Sequence, residues 1–288
     1  MAALAERLTA AGSQLLRRPT HIGAVPNSLH YGHSMNMFDL SGRLGLVTGS
    51  SRGIGYALAK GLLQAGARVV IHGRDVKQAT LAATALADET GGQTRVSTFD
   101  VTDLAAVDGG IADIEADWGT PDILVNNAGL QRRKPFIEFS LEDWNDLVAT
   151  NLTSAFLVGQ RVARGMVARG SGKIINIGSV QSQLARPGIA PYSATKGGIL
   201  MLTKGLCADL GPFGVQTNAL APGYFETELT RALVEDEEFS AWVRGRTPAG
   251  RWGKVEDLIG ALVFLASPAS DFVNGQVLFV DGGMTAVV

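Results

Sequence analysis

A tyrosine and a lysine four residues apart are the first sign of chemistry in this sequence. In the stretch YSATK, Tyr192 and Lys196 would lie on one face of a helix. A free phenol titrates near about 10, too high for efficient proton transfer at neutrality, and an adjacent ammonium lowers that pKa. Ser179 ends an apolar run 13 residues earlier, where its hydroxyl would hydrogen-bond a carbonyl or alcohol oxygen beside the phenol. These three side chains predict acid–base chemistry at a substrate oxygen.

Other reactive centres are poorly represented. The sequence has four histidines, and only His72 lies beyond the first 33 residues, so a Ser-His-Asp triad lacks a base and a histidine metal site lacks ligands. Cys207 is the only cysteine, which excludes an intrachain disulfide and a cysteine metal cage and is compatible with a reducing cytoplasm. We therefore predict no metal site and a cytoplasmic location.

Composition also limits the partners. The net charge of −2 and the pI of about 6.1 give no basic field for nucleic acid or an anionic membrane. No apolar run approaches the length of a transmembrane helix. We predict a small-molecule substrate, with neither a nucleic-acid nor a membrane partner.

A glycine-rich turn follows the first predicted strand. In TGSSRGIG, three glycines with the spacing G-x-x-x-G-x-G stand between that strand and a helix. Glycines let the backbone approach a pyrophosphate, and the helix N-terminus supplies free N–H groups. Glycine also serves in ordinary turns, but the strand–turn–helix context favours dinucleotide binding. The residues of this turn that we assign to the cofactor are Gly49, Ser51, Arg52, Gly53, Ile54 and Gly55.

The second predicted strand indicates which dinucleotide is bound. NAD-binding sites usually place an acidic residue about 20 residues after the glycine-rich turn, but here Gly73 stands at the strand tip and Arg74 follows it. A guanidinium suits a phosphate through bidentate geometry, so we predict NADP(H), with Arg74 and Arg52 flanking the 2′-phosphate. Asp75 is the competing observation, and we expect it to cap the next helix instead.

Seven apolar runs alternate with helical patterns and must position these residues. Their near-continuous apolar character fits strands buried on both faces of a parallel sheet, joined by right-handed crossovers. The predicted strands are Leu44–Thr48, Arg68–His72, Val96–Phe99, Ile123–Asn126, Ile174–Ile177, Val215–Leu220 and Val277–Val280. We predict an α/β fold with a Rossmann-type, doubly wound, seven-stranded parallel sheet in a single domain.

The start of the chain differs from the rest. Its first 35 or so residues contain Arg7, Arg17 and Arg18 against the single acid Glu6. A transit peptide has such a composition, but we favour a loosely attached, flexible extension or an over-long start. We therefore divide the chain into an N-terminal extension at residues 1–37 and a folded domain at residues 38–288.

From about residue 40 to its end, the sequence resembles the short-chain dehydrogenases/reductases. The motifs that carry the resemblance are TGSSRGIG, Asp100-Val101, NNAG, a helical Asn151, Ser179, YSATK and Pro222-Gly223. The resemblance implies that Asn151 joins Ser179, Tyr192 and Lys196 in a catalytic proton relay. It also implies direct hydride transfer between the nicotinamide and a carbinol carbon, and a homotetramer.

The same resemblance implies further cofactor contacts. Asp100 would bind the adenine amino group, the NNAG backbone would line the nicotinamide channel, and Thr227 would approach the carboxamide. Lys196 would also hold the nicotinamide ribose. The cofactor residues added in this way are Asp100, Val101, Asn127, Ala128, Gly129, Tyr192, Lys196, Pro222, Gly223 and Thr227.

Stretches on the substrate side look like the gluconate 5-dehydrogenases of that family. They are NNAGLQRRKPF, QSQLARPGIAPYSATKGG, NALAPGYFETELT, FSAWVRGRTPAGRWG and DFVNGQVLFVDGG. This likeness implies reversible reduction of 5-keto-D-gluconate to D-gluconate with NADPH, beneath a substrate lid at about residues 224–250.

A sugar acid needs a cation for its carboxylate and polar groups for its hydroxyls. We predict Arg132 and Arg133 for the carboxylate, and Gln181, Gln183 and Tyr224 for the hydroxyls. A surface or subunit-contact role is the alternative for the two arginines, and we expect Lys134 to be solvated.

Two other functions remain open at this stage. The first is another ketoreductase of the same family, such as a 3-oxoacyl carrier-protein reductase or a 2-keto-3-deoxygluconate-type dehydrogenase. The second is a non-catalytic nucleotide sensor on the same fold. Such sensors typically lack the tyrosine or the lysine of the relay, and this sequence has both.

Overall fold

Seven parallel strands form one sheet in the computed structural model, which describes residues 37–288. The strands are β1 Leu44–Val47, β2 Arg68–Gly73, β3 Thr94–Thr98, β4 Ile123–Asn126, β5 Gly172–Ile177, β6 Val215–Pro222 and β7 Val277–Val280. Their order is β3-β2-β1-β4-β5-β6-β7, and every neighbouring pair is parallel. This arrangement confirms the predicted doubly wound α/β sheet.

Helices connect the strands and cover both faces of the sheet. They are α1 Gly53–Gln64, α2 Val76–Thr90, α3 Leu104–Trp118, α4 Leu141–Val148, α5 Ser154–Arg169, α6 Ala190–Leu210, α7 Arg231–Val234, α8 Glu237–Arg246 and α9 Ile259–Ala266. Ser140 and Asp143 form a capping box at the start of α4. Asp75 likewise caps α2, accepting hydrogen bonds from the backbone N–H groups of Lys77 and Gln78. Both caps satisfy donors that a helix start leaves unpaired.

Successive residues of each central strand enter two different cores. Val47, Val125 and Ile175 pack in one cluster with Leu58 and Leu62 of α1. Their neighbours Leu46, Leu124 and Ile174 pack in a second cluster on the other face, with residues of α3 and α5. Side chains alternate across a strand, so burial of both faces explains why the strands read as continuous apolar runs.

The order of the strands reverses between β1 and β4. The chain winds outward from β1 to β3, then crosses back so that β4 pairs with the other edge of β1. In sheets of this kind, ligands bind outside the carboxyl ends of the strands, at the point where the order reverses. A ligand site is therefore expected among the loops that follow β1, β4 and β5.

The described residues exclude most of the predicted extension, and they contain neither a membrane-spanning helix nor a metal-binding cluster. The N-terminal extension predicted at residues 1–37 lies outside the described residues except for Met37. Among residues 37–288, no helix is both long and apolar enough to cross a membrane. The same residues include no cluster of three or more His, Cys, Asp or Glu side chains that would hold a metal ion.

Candidate active site

The glycine-rich turn allows close contact between its own backbone segments and with the loop after β4. Gly49 and Gly53 have φ angles of 64° and 58°, in the left-handed region that favours glycine. A Cβ on Gly55 would lie 2.3 Å from the Gly49 carbonyl oxygen and 2.4 Å from Asn127 Nδ2. The start of α1 has no side-chain cap and no acidic residue in its first turn. This leaves N–H groups directed at a cradle that fits a pyrophosphate.

His72 ties this turn to the neighbouring strands. Its Nδ1 accepts a hydrogen bond from the Gly49 N–H at 3.1 Å, and its Nε2 lies 3.1 Å from the Phe99 carbonyl oxygen. Burial lowers the pKa of the imidazole to about 4, so the ring is neutral at pH 7 and can accept from Gly49 while donating to Phe99. The sequence placed His72 at the end of the second predicted strand but indicated no role for it.

The end of β2 fits an additional phosphate. Arg52 and Arg74 have side chains that are 80% and 81% exposed, with only long ion pairs of 3.7 Å to Glu228 and 3.9 Å to Asp100. Asp75 Oδ1 accepts the two capping hydrogen bonds of α2, which is the role predicted for this residue in place of a contact to a ribose 2′-OH. Asp100 accepts hydrogen bonds from the Thr102 backbone and hydroxyl, which lower its pKa. These two exposed guanidiniums suit the 2′-phosphate of NADP(H).

The NNAG stretch after β4 packs directly beside the glycine-rich turn. Asn127 Nδ2 donates to the carbonyl oxygens of Thr48 and Gly49 at 2.9 and 3.1 Å. The backbone N–H groups of Asn127 and Ala128 both donate to Thr48 Oγ1 at 3.0 Å. A Cβ on Gly49 would lie 3.1 Å from Ala128 Cα, so the two loops form one close-packed floor.

The tyrosine, serine and lysine predicted to do chemistry meet at the end of β5. Ser179 follows the strand, and its interaction with the Tyr192 phenol favours the ionised form of that phenol. The Lys196 ammonium lies 5.7 Å from the centroid of the Tyr192 ring and donates to the Ile177 carbonyl oxygen at 2.8 Å. The structure thus brings the three side chains together, while their catalytic roles stay a prediction.

The prediction that the Lys196 ammonium lowers the pKa of the Tyr192 phenol is wrong. Desolvation raises the pKa of the Tyr192 phenol, and the opposing influences come from Ser179 and Arg133. Desolvation also lowers the pKa of Lys196, to about 8. The four-residue spacing places the lysine near the tyrosine, but its ammonium points at the Ile177 carbonyl. The phenol therefore keeps its proton at neutral pH.

Asn151 lies in an irregular turn of helix. Residues 149–153 form a π-helical segment between α4 and α5, with α-helical backbone on both sides. Asn151 Oδ1 accepts from the Leu130 N–H at 2.8 Å, and its Nδ2 donates to the Leu130 carbonyl at 3.0 Å and to Thr195 Oγ1 at 3.2 Å. Asn151 therefore ties the loop after NNAG to the helix that carries Tyr192.

The three cations of the RRK stretch have different environments. Arg132 pairs with Asp143 and Asp146, and Lys134 Nζ lies 2.6 Å from Asp143 Oδ2. The Lys134 contact lowers the pKa of Asp143 to about 2. Lys134 is therefore paired, whereas the sequence predicted a solvated side chain.

Arg133 has no acidic partner within ion-pair distance among residues 37–288. Desolvation and the charge of Arg186 both lower the pKa of its guanidinium, while the phenols of Tyr192 and Tyr224 oppose this effect. Gln181, one of the predicted substrate contacts, is buried beside Tyr224, with its Nε2 3.4 Å from the phenol oxygen. Its Oε1 is buried without a hydrogen-bond partner. Arg133, Gln181 and Tyr224 thus converge near Tyr192.

Aromatic side chains pack the segment that was predicted to be a lid. Tyr224 makes edge contacts with Phe239, Trp242 and Trp252, at centroid distances of 5.6, 5.8 and 5.7 Å. Trp252 Nε1 donates to Ser240 Oγ at 2.9 Å. The tryptophans therefore pack α8 against the segment that follows β6.

The turn after β6 connects the lid segment to the sheet. A Cβ on Gly223 would lie 2.8 Å from Asp281 Cα, so the Pro222-Gly223 turn packs directly on the end of β7. Thr227 then caps a short helical turn through Thr230. The predicted contact of Thr227 with the carboxamide stays a prediction.

Arg186 was missed by sequence reasoning. Its guanidinium carbon lies 5.2 Å from the centroid of Phe239 in α8, and its charge reaches both Arg133 and Tyr224. The only sequence signal was its position within QSQLARPG, close to the relay. Its neighbours come from distant loops, which no local pattern reveals.

Comparisons with known proteins match this geometry to a family. The family described as "Enoyl-(Acyl carrier protein) reductase" matches residues 49–285. Gluconate 5-dehydrogenase of Gluconobacter oxydans is 59% identical over 250 residues, covering 87% of this chain and 97% of that protein. 5-Keto-D-gluconate 5-reductase of Escherichia coli K12 is 52% identical over 253 residues, covering 88% and 99%.

A solved structure of a related protein supports the same family. The gluconate 5-dehydrogenase of Burkholderia cenocepacia, crystallised in complex with NADP and tartrate, is 58% identical and superposes with a TM-score of 0.86. The alignment covers 89% of this chain and all of that one. With the seven-stranded sheet and the co-located Ser, Tyr and Lys, these matches establish that the chain belongs to the short-chain dehydrogenase/reductase family.

Proposed function

We propose that this protein is an NADP-dependent gluconate 5-dehydrogenase, which reversibly reduces 5-keto-D-gluconate to D-gluconate. The observation that carries the proposal is Arg133, a cation without an acidic partner in the described chain, whose charge reaches the Tyr192 phenol. A carboxylate bound to Arg133 would hold a sugar acid beside the proton-donating group. The relatives named for this reaction, at 59% and 52% identity, support the same substrate.

NADP(H) fits the first half of the site. The glycine turn at Gly49, Gly53 and Gly55 would hold the pyrophosphate, and Arg52 and Arg74 the 2′-phosphate. Bound cofactor supplies a hydride in one direction and accepts it in the other. The NADP complex of the Burkholderia relative supports this assignment.

The residues of this chain would control the proton. In the reducing direction Tyr192 donates its proton to the ketone oxygen, and its raised pKa keeps that proton available at neutral pH. Ser179 would hydrogen-bond the same oxygen, and Lys196, which donates to the Ile177 carbonyl oxygen, would hold the nicotinamide ribose. Asn151 holds the Leu130 backbone and Thr195, which positions the helix that carries the tyrosine.

The proposed substrate contacts divide by charge. Arg133 would bind the carboxylate, while Gln181 Oε1, buried without a partner, would accept from a substrate hydroxyl. Tyr224 would bind a second hydroxyl. Arg132 remains a candidate, but its ion pairs with Asp143 and Asp146 would have to be broken or shared. We therefore rank Arg133 above Arg132.

A substrate panel tests the activity. Purified protein would be assayed by NADPH oxidation with 5-keto-D-gluconate, fructose and an acetoacetyl thioester, and with NADH in place of NADPH. We expect turnover of the keto acid with NADPH, and none with Tyr192→Phe. Turnover of the thioester without turnover of 5-keto-D-gluconate would favour the 3-oxoacyl reductase alternative instead.

Two arginine variants test the carboxylate contact. Arg133→Met should raise the KM for 5-keto-D-gluconate by about 10- to 100-fold, the range for losing one hydrogen bond to a charged group. The KM for NADPH should change little, because Arg133 lies on the substrate side. Arg132→Met is the matched control and should have the smaller effect. The reverse order would return the role to Arg132.

The domain organisation and the assembly complete the proposal. We propose one catalytic domain at residues 38–288, with residues 224–250 as the substrate lid, acting as a homotetramer in the cytoplasm. Exposed apolar side chains on α5 and α6, including Phe156 and Met201, support association between copies. Light scattering should give about four times the chain mass of 30.2 kDa, and cell fractionation tests the location.

A further inference from the structure

Two loops bring a second arginine to the substrate side of the site. The Lys134 N–H donates to the Gly188 carbonyl oxygen at 3.2 Å, so the loop after β4 and the loop after β5 are joined by their backbones. Arg133 stands next to one end of that bond and Arg186 lies two residues from the other. Arg186 also stacks over Phe239 of α8, 5.2 Å from the ring centroid.

The two guanidiniums repel each other, and no acid of the described chain forms an ion pair with either of them. Neither Arg133 nor Arg186 forms an ion pair with an acid of the described chain, although the adjacent Arg132 and Lys134 both do. Each of the two charges acts on the Tyr224 phenol, so they face the same space. Like charges held together cost free energy, and a bound anion would remove that cost.

A buried polar atom points to the same space. Gln181 Oε1 has no hydrogen-bond partner, and its Nε2 lies 3.4 Å from Tyr224 Oη. Buried acceptors in folded proteins are rarely left unpaired. A ligand that carries both an anionic group and hydroxyls would satisfy the cations and the amide oxygen together.

We propose that Arg186 is a specificity-determining residue that shares the substrate carboxylate with Arg133. The two guanidiniums would clamp one carboxylate, one on each side, and so select open-chain polyhydroxy acids over neutral ketoses and polyols. The stacking of Arg186 on Phe239 would fix the orientation of its fork. This inference rests on the proposed function, because it concerns the substrate of the same site.

Matched inhibitors test the clamp. D-Gluconate and D-glucitol have the same carbon chain, but only gluconate has a carboxylate, so the inhibition constants of both would be measured in wild type, Arg186→Met and Arg186→Lys. Arg186→Met should weaken gluconate by about 10- to 100-fold and leave glucitol and the KM for NADPH within about twofold. Arg186→Lys should lose less, since it keeps the charge but not the planar fork. Arg164→Met, on the exposed surface of α5, controls for the loss of one positive charge.

A double variant tests whether the carboxylate is shared. If both arginines bind one group, the Arg133→Met/Arg186→Met protein should lose less affinity for gluconate than the product of the two single losses. Strictly multiplicative losses would overturn the shared clamp. Equal weakening of gluconate and glucitol would show that Arg186 only maintains the loop, which would also overturn it. Wild-type protein that fails to reduce 5-keto-D-gluconate would instead refute the proposed function.

Discussion

Lys196→Met should change how the stability of the fold depends on pH. Burial of the ammonium lowers its pKa from the ordinary 10.5 to about 8. Since one pKa unit corresponds to about 1.4 kcal/mol, the charged lysine costs the folded chain about 3 kcal/mol at neutral pH. Between pH 8 and 10.5 the folded chain has released this proton while the unfolded chain still binds it. Raising the pH therefore favours folding through this group.

The variant isolates that contribution. Urea unfolding of wild type and Lys196→Met would be followed between pH 7 and pH 10, without cofactor and at one protein concentration. The free energy of unfolding of the wild type, minus that of the variant, should rise by about 2–3 kcal/mol across this range. The variant also leaves the Ile177 carbonyl without its 2.8 Å donor, which shifts the whole curve but not its slope.

The test is how the difference in unfolding free energy between wild type and variant changes with pH. Lys204→Met, on the exposed face of the same helix, shows what the loss of one lysine does at the surface. A flat difference for Lys196→Met would mean that the buried ammonium titrates as it does in water, and a falling difference would mean that the fold stabilises the charge. Either result would refute the reasoning. Lys196→Met should in any case abolish turnover.

Three further perturbations test the cofactor side. Gly55→Ala places a Cβ 2.3 Å from the Gly49 carbonyl oxygen and should abolish measurable NADPH binding in a fluorescence titration; Gly109→Ala, whose Cβ would meet nothing within 4 Å, should bind normally. Arg74→Gln should raise the KM for NADPH by about tenfold while leaving that for NADH unchanged, because only NADPH carries the 2′-phosphate. Parallel increases in both would remove Arg74 from the phosphate site. His72→Leu removes the ring partners of the Gly49 N–H and of the buried Phe99 carbonyl oxygen and should lower the free energy of unfolding by about 2–4 kcal/mol in urea; a loss below about 1 kcal/mol would indicate that water replaces the ring.

The fold could largely be predicted from the sequence because both faces of the sheet are buried. Continuous apolar runs such as Ile123–Asn126 marked the strands directly, and that strand has the predicted bounds. The edge strand β3 begins at Thr94, two residues before its prediction, since Thr94 and Arg95 are polar and only partly buried. Apolar patterns cannot mark such residues.

The geometry of the candidate site could be predicted where it depends on local spacing. The glycine turn and the YSATK helix each lie within one short stretch, so their geometry follows from one or two elements. Arg186 and His72 contact partners in distant parts of the chain, such as Phe239 of α8 and Gly49, and residue spacing does not reveal such contacts. The same limit applies to Tyr192, whose pKa depends on what surrounds the ring rather than on which residue stands four positions later.

The π-helical turn at residues 149–153 gives the segment from α4 to α5 a constraint on its length. Each residue of an α-helix adds a rotation of about 100° around the helix axis. The extra residue of the π-helical turn therefore determines which faces of α4 and α5 point in the same direction. Asp143 on the first faces the RRK loop, whereas Val158 and Val162 on the second face the core. Deleting any one residue of the wide turn would rotate these surfaces apart, even if Asn151 were kept. Among related sequences, substitutions here should therefore be far more common than gaps.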